Sequence, residues 1–107
     1  MEFTPISDLL SDSRDGKTAR IRGWVYRTRS SGGVSFVVVR DASGIVQCAV
    51  KKQNVSEKDF LGAQKALIES AVEVEGTVKK DARAPGGFEL QATAFHVVHF
   101  AEAFPIS

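Results

Sequence analysis

The sequence predicts an all-β chain closed into a small barrel, and three observations predict it. Five runs rich in β-branched and aromatic residues are separated mostly by short, glycine-bearing turns. One stretch of helical periodicity interrupts them, between the third run and the fourth. The 107 residues give room for one core and one domain, residues 1–107.

Taken in order, Thr4 to Leu10 has Pro5 near its start and Asp8 in its first turn, which predicts a short N-terminal helix. Asp15-Gly16 marks a turn. Lys17 to Arg29 holds Ile21, Trp24, Val25 and Tyr26 and predicts the first strand. Gly23 lies within it, and a glycine inside a strand marks a bulge or sharp bend, which a small barrel needs in order to close. Ser30 to Gly33 reads as a loop. Val34 to Arg40 is the second strand, Asp41 to Gly44 a hairpin turn, and Ile45 to Lys51 the third strand.

Ser56-Glu57-Lys58-Asp59 then starts a helix, with Ser56 as N-cap and Asp59 completing an approximate capping box. Phe60, Ala63 and Leu67, with Ala66 and Ile68, carry the helical spacing to about Glu69. Ala71 to Lys79 alternates as a fourth strand, with Val72, Val74 and Gly76 on one side. Lys80 to Gly87 is a loop, and Phe88 to Phe100 is the fifth strand, its alternation blurring around His96. Residues 101–107 have no core of their own and read as the start of a linker. Three strands, a helix and two strands is the order of the OB-fold, a five-stranded Greek-key barrel that binds oligonucleotides on its strand 2–3 face.

Fourteen basic residues against thirteen acidic leave a formal charge of +1. That argues against a whole-surface electrostatic grip on nucleic acid. The charges are nevertheless unevenly placed: Lys17, Arg20, Arg22, Arg27 and Arg29 fall between Lys17 and Gly33 with no carboxylate among them. A local basic stripe on a near-neutral body follows. Cys48 is the one cysteine, so an internal disulfide is excluded, and a reducing compartment is expected. No signal peptide and no apolar run of about 20 residues is present, so a cytoplasmic chain with no membrane partner is expected.

The hairpin register locates a candidate site. If Asp41 pairs with Gly44, Phe36 lies opposite Ala49 and diagonal to Gln47 on one face. Val37, Val39, Val46, Cys48 and Val50 then point the other way and form the core face, leaving Phe36 and Gln47 outside. Arg27 and Arg29 share a parity at the end of the first strand. A ring beside a bidentate amide, flanked by guanidinium groups, suits an unstacked base: the ring stacks, the amide reads a Watson–Crick edge such as that of uracil, and the arginines take phosphates or bases. Lys80 and Arg83 are further candidates for phosphate contacts beside a solvated loop.

Other features carry no chemistry. His96 and His99 lack partners at metal-ligand spacing. Gly32-Gly33 lacks the Lys-Ser/Thr of a phosphate loop. Asp41 reads as a turn residue and Trp24 as packing. No set of side chains suggests a nucleophile, so no catalytic residue, metal or cofactor is expected in this chain.

Along its whole length the chain resembles the N-terminal anticodon-binding domain of class IIb aminoacyl-tRNA synthetases, the asparaginyl branch more than the aspartyl. The residues that carry the likeness are Gly23-Trp24-Val25, Arg27, Arg29, Phe36, Arg40-Asp41 and Gly44-Ile45-Val46-Gln47. Glu69-Ser70-Ala71-Val72, Arg83-Ala84-Pro85-Gly86-Gly87 and Phe104-Pro105-Ile106 favour the asparaginyl branch. The resemblance implies that Phe36 stacks on the middle anticodon base, a uracil, that Gln47 hydrogen-bonds it, and that Arg27 and Arg29 contact the anticodon stem-loop. It points to the loop Lys80 to Gly87 for the third base. It also implies a tRNA partner, for asparagine or aspartate, and a parent ligase, generally a dimer, whose ATP- and magnesium-dependent catalytic domain has no counterpart here. The fragment itself is expected to be monomeric. Two other functions fit the residues taken alone: a protein-docking module on an OB scaffold, and a sequence-tolerant single-strand binder.

Overall fold

The computed structural model describes residues 2–66 and 68–99. Its strands are β1 (Thr18–Ser31), β2 (Val34–Arg40), β3 (Ile45–Lys51), β4 (Ala71–Lys80) and β5 (Phe88–His99), with helix α1 (Glu57–Lys65) between β3 and β4. They close into a barrel in the order β1-β2-β3-β5-β4. Every neighbouring pair is antiparallel except β3 and β5, which run parallel. A parallel pair requires a crossover rather than a hairpin, and α1 with β4 supplies it. This is the predicted OB-fold.

The β2–β3 hairpin has the expected register: Phe36 opposes Ala49, and Gln47 opposes Val38. Val37, Val39, Val46, Cys48 and Val50 are buried in the core with Ile21, Val74, Leu90 and Phe95. Burial of each such side chain contributes roughly 1.5–3 kcal/mol. Asp41 sets the turn. Its Oδ1 accepts from the backbone N–H groups of Ser43 and Gly44, and its Oδ2 accepts from Ile6 N–H at 2.9 Å. The hairpin tip therefore also fastens the N-terminal 3-10 turn, Ile6–Leu9, whose Ile6 and Leu9 are fully buried.

β1 departs from expectation in an instructive way. It runs from Thr18 to Ser31, so Ser30 and Ser31 belong to the strand rather than to a loop. Its register on β2 shifts between Val25 and Arg27, making Tyr26 the extra residue. The bulge thus lies at Tyr26 and not at Gly23. Gly23 serves a different need, because a Cβ there would collide with the carbonyl oxygen of Arg40. The loop after α1 completes the pairing on the other side of the bulge, Val25 N–H donating to Ser70 O and Glu69 N–H to Val25 O. Trp24, expected to pack, is 47% exposed.

Helix α1 also differs. Ser56 Oγ accepts from Asp59 N–H as predicted, but Asp59 does not return the cap. Its carboxylate accepts from Phe95 N–H in β5 at 3.0 Å, satisfying a buried amide. The helix ends at Lys65 rather than near Glu69: Ala66 is already extended, and Glu69 has φ +73. Phe60, Ala63 and Ala66 are buried in the core, while Ile68 is exposed; Leu67 lies outside the described residues. β4 buries Val72, Val74, Gly76 and Val78 in alternation and includes Lys80. β5 blurs where expected, because its pairing with β4 skips Thr93 and Val98. Phe100 and the linker assigned to 101–107 lie outside the described residues. No helix of the described residues is long and apolar enough to cross a membrane.

Candidate nucleic-acid interface

The β1 bulge decides which side chains reach the outer face of β2 and β3. Val25 points inward opposite Val39. In an unbroken strand Arg27, two residues on, would share that inward face, since a one-residue slip exchanges the faces of a strand. The extra residue at Tyr26 reverses the parity. Arg27 pairs with Val38 and Arg29 with Phe36, both on the outer face. Two arginines that simple alternation would bury are thereby placed beside Phe36 and Gln47.

Together they line a groove of about 360 Å³, floored by Val38 and bounded by Arg27, Arg29, Phe36 and Gln47. Thr28, Arg83 and Pro85 complete its rim. The guanidinium of Arg29 lies over the Phe36 ring, 4.5 Å from its centroid. Among the described residues no carboxylate pairs with Arg27 or Arg29.

Gln47 is held from behind. Its Nε2 donates to Glu89 Oε2 at 3.0 Å, across the parallel β3–β5 pairing that sets Gln47 beside Glu89. Glu89 is only 6% exposed. An ionised carboxylate only accepts hydrogen bonds, so the amide nitrogen must face Glu89 and the amide oxygen faces away. The orientation of Gln47 is therefore imposed by its neighbour. Sequence reasoning missed Glu89, whose one local signal was a carboxylate at the start of an apolar strand.

Of the two further candidates the structure brings one to the groove. Arg83 stands on the rim, highly exposed, with its Nε 3.3 Å from Asp81 Oδ1. Hydrogen bonds from Arg83 hold the Asp81 carboxyl below the usual carboxylate range. Lys80 points elsewhere, its Nζ 3.1 Å from Asp12 Oδ1. Cys48 is fully buried, and burial first, then the Glu89 charge, push its thiol far above the ordinary value. It stays protonated and unreactive. Among the described residues no cluster of three or more His, Cys, Asp or Glu could hold a metal ion.

A larger, mostly apolar cleft of about 740 Å³ opens beside Trp24, Phe3 and Val98. Two polar groups on its wall are committed to the fold: Asp41 to the turn and to Ile6, Ser43 Oγ to the Ser7 amide. It has rings in Phe3 and Trp24 and a guanidinium in Arg22, 4.7 Å from the Phe3 centroid, but no carboxamide to read a base edge.

Comparison with known proteins agrees with that geometry. Residues 19–98 match the tRNA anti-codon family, described as an OB-fold nucleic acid binding domain. The chain is 45% identical over 102 residues to an asparagine–tRNA ligase of Thermoplasma acidophilum, covering 95% of this chain and 24% of the relative. The crystal structure of asparaginyl-tRNA synthetase from Pyrococcus horikoshii, complexed with asparaginyl-adenylate, superposes with a TM-score of 0.90 at 40% identity, covering 100% of this chain and 24% of that one. Aspartyl-tRNA synthetase from Entamoeba histolytica follows at TM-score 0.85 and 27% identity, covering 99% of this chain and 23% of that one. The chain thus spans about a quarter of the length of the relatives it matches. With the barrel from Ala19 to Val98 inside the matched span, and the ring, amide and arginines gathered on one face, the chain belongs to the tRNA anticodon-binding family of OB-fold nucleic acid binding domains.

Proposed function

We propose that this domain grips the anticodon loop of a tRNA, that of asparagine, on behalf of a longer asparagine–tRNA ligase. The observation that carries the reading is the Glu89–Gln47–Phe36 arrangement. Phe36 offers a ring for one unstacked base. Gln47, with its nitrogen committed to Glu89, presents its oxygen as an acceptor and its second N–H as a donor. Uracil matches that pattern, because its N3–H donates and its flanking carbonyls accept. With the amide oxygen against N3, cytosine, whose N3 accepts, sets one acceptor against another. Arg27 and Arg29 supply charge for the flanking phosphates, with Arg83 at the rim. Lys80 plays no part in the groove.

The asparagine assignment follows the names of the relatives; the aspartate tRNA shares the central uracil, and nothing in the groove separates the two at that base. In the longer ligase the domain adds binding energy remote from the reacting centre. Activation of the amino acid, with ATP and magnesium, belongs to that other portion, as does any dimer contact. A cytoplasmic setting goes with that role.

The test is the affinity of the chain for an anticodon stem-loop RNA at low salt, for wild type, Phe36→Ala and Gln47→Ala. Loss of the stack should weaken binding by about 1–3 kcal/mol. Equal affinities for all three proteins would end this reading.

A further inference from the structure

The outer face does not stop at the groove. Phe36, Val38 and Arg40 follow one another along it on β2, and on the facing strand the bulge extrudes Tyr26 between the pairs Val25–Val39 and Arg27–Val38. Tyr26 is 44% exposed. A bulged residue owes the ladder nothing but its backbone, and this ring has no place in the core. Arg27 and Arg40 flank it, each guanidinium carbon 5.6 Å from the ring centroid. Arg40 is also drawn to Glu69, with Nη2 3.4 Å from both carboxylate oxygens, an exposed pair that a phosphate can displace. From Phe36 to Arg40 is four residues of strand, roughly 13 Å at about 3.3 Å per residue, further than one base spans.

We propose that Tyr26, held between Arg27 and Arg40, is a second stacking platform, taking an unpaired nucleotide that flanks the base on Phe36 in the same RNA. The proposal rests on the anticodon reading of the groove. An exposed ring with cations on either side offers a base a stacking surface and its phosphate a charge-assisted hydrogen bond. Arg27 lies between the two rings and serves both steps. The strand-1 bulge thereby does two things at once: it turns Arg27 and Arg29 outward, and it raises the ring that receives the neighbouring nucleotide.

The experiment pairs protein variants with a set of stem-loop RNAs in which each loop nucleotide in turn lacks its base. Tyr26→Ala should weaken binding of the intact stem-loop about five-fold or more, and Tyr26→Phe should restore it. The loss caused by Tyr26→Ala should vanish for the RNA lacking one particular loop base, and the loss caused by Phe36→Ala should vanish for the RNA lacking a different one, the central anticodon base. Such paired deletions isolate the contact from general effects on folding. The platform is refuted by a Tyr26→Ala protein that binds the intact RNA like wild type. It is refuted equally by a loss that disappears at the same base as for Phe36, or that persists across every RNA of the set. A Phe36→Ala protein with undiminished binding would remove the groove reading itself, and this proposal with it.

Discussion

The guanidinium of Arg29 lies 4.5 Å from the centre of the Phe36 ring across the β1–β2 pair, and it is there because Tyr26 is bulged out of the pairing rather than taking a place in it. Were Tyr26 paired in a regular ladder, Arg29 would fall on the parity of Val25 and face the core. The site's cations are therefore placed by an irregularity, not by the regular pleat.

Deleting Tyr26 should cost more stability than replacing it. Deletion restores unbroken pairing with Val25 still inward and Arg27 and Arg29 still outward, so its cost is the lost bend of β1, about 1–3 kcal/mol. Tyr26→Ala keeps the backbone count and should leave stability within about 0.5 kcal/mol. Urea denaturation of both proteins checks this. Equal stability of the deletion and the substitution would show that the barrel closes without the bend at the bulge.

Glu89 should govern discrimination rather than grip. Glu89→Ala frees Gln47 to rotate its amide, and should narrow the preference for uracil over cytosine at the central base by about 1 kcal/mol. Binding of a stem-loop lacking that base should barely change. Competition between the two RNAs, for wild type and variant, is the measurement. An unchanged preference would mean that Gln47 is oriented by something other than its bond to Glu89.

Salt dependence should be shallow. The groove offers Arg27, Arg29 and Arg83 to phosphates, and three contacts on a single strand give a slope of about −2 in log affinity against log salt. Arg29→Ala should reduce it by about 0.7. Arg83, already paired with Asp81, should contribute less than either of the others. A wild-type slope near zero would exclude phosphate contacts altogether.

Asp41 should make stability pH-dependent at the acid end. Burial tends to raise its pKa, but hydrogen bonds from the Ser43 hydroxyl and from the amides of Ile6, Ser43 and Gly44 outweigh that and hold the carboxyl below its ordinary 3.8. A group whose pKa is lower in the folded state stabilises fully above its unfolded value, and loses that contribution as the pH falls through the folded value. Asp41→Ala should cost about 1–2 kcal/mol near neutrality. The gap to wild type should close as the pH is taken below 3.8. Thermal unfolding across that range tests it. A gap that stays constant would assign the loss to turn geometry rather than to the charge.

Much of this was legible in the residues. The two-residue period of β2 and β3, together with the Asp41–Gly44 turn, determined that Phe36 and Gln47 share the outer face, because a tight turn sets the register of the strands it joins. The order of strands and helix indicated the barrel, and the β4 alternation marked its buried side. Local signals failed where distant partners decide. Trp24 looks like a core residue, but Ile21 and Val25 take the inward parity of β1 and leave it half in solvent. Asp59 looks like a cap partner until β5 presents it with the Phe95 amide. The end of α1 was read too far because Ala66 and Ile68 continue the apolar spacing while the chain must turn back to pair with Val25.

The alternation of side chains along each strand belongs to the chain itself, since it follows from the geometry of neighbouring residues. What only the closed barrel decided is the parallel pairing of β3 with β5, which sets Glu89 behind Gln47 across 42 residues of sequence, and the slip at Tyr26 that aims the arginines. Both are settled by which strands meet, a contest of many weak distant contacts that no short stretch of residues encodes.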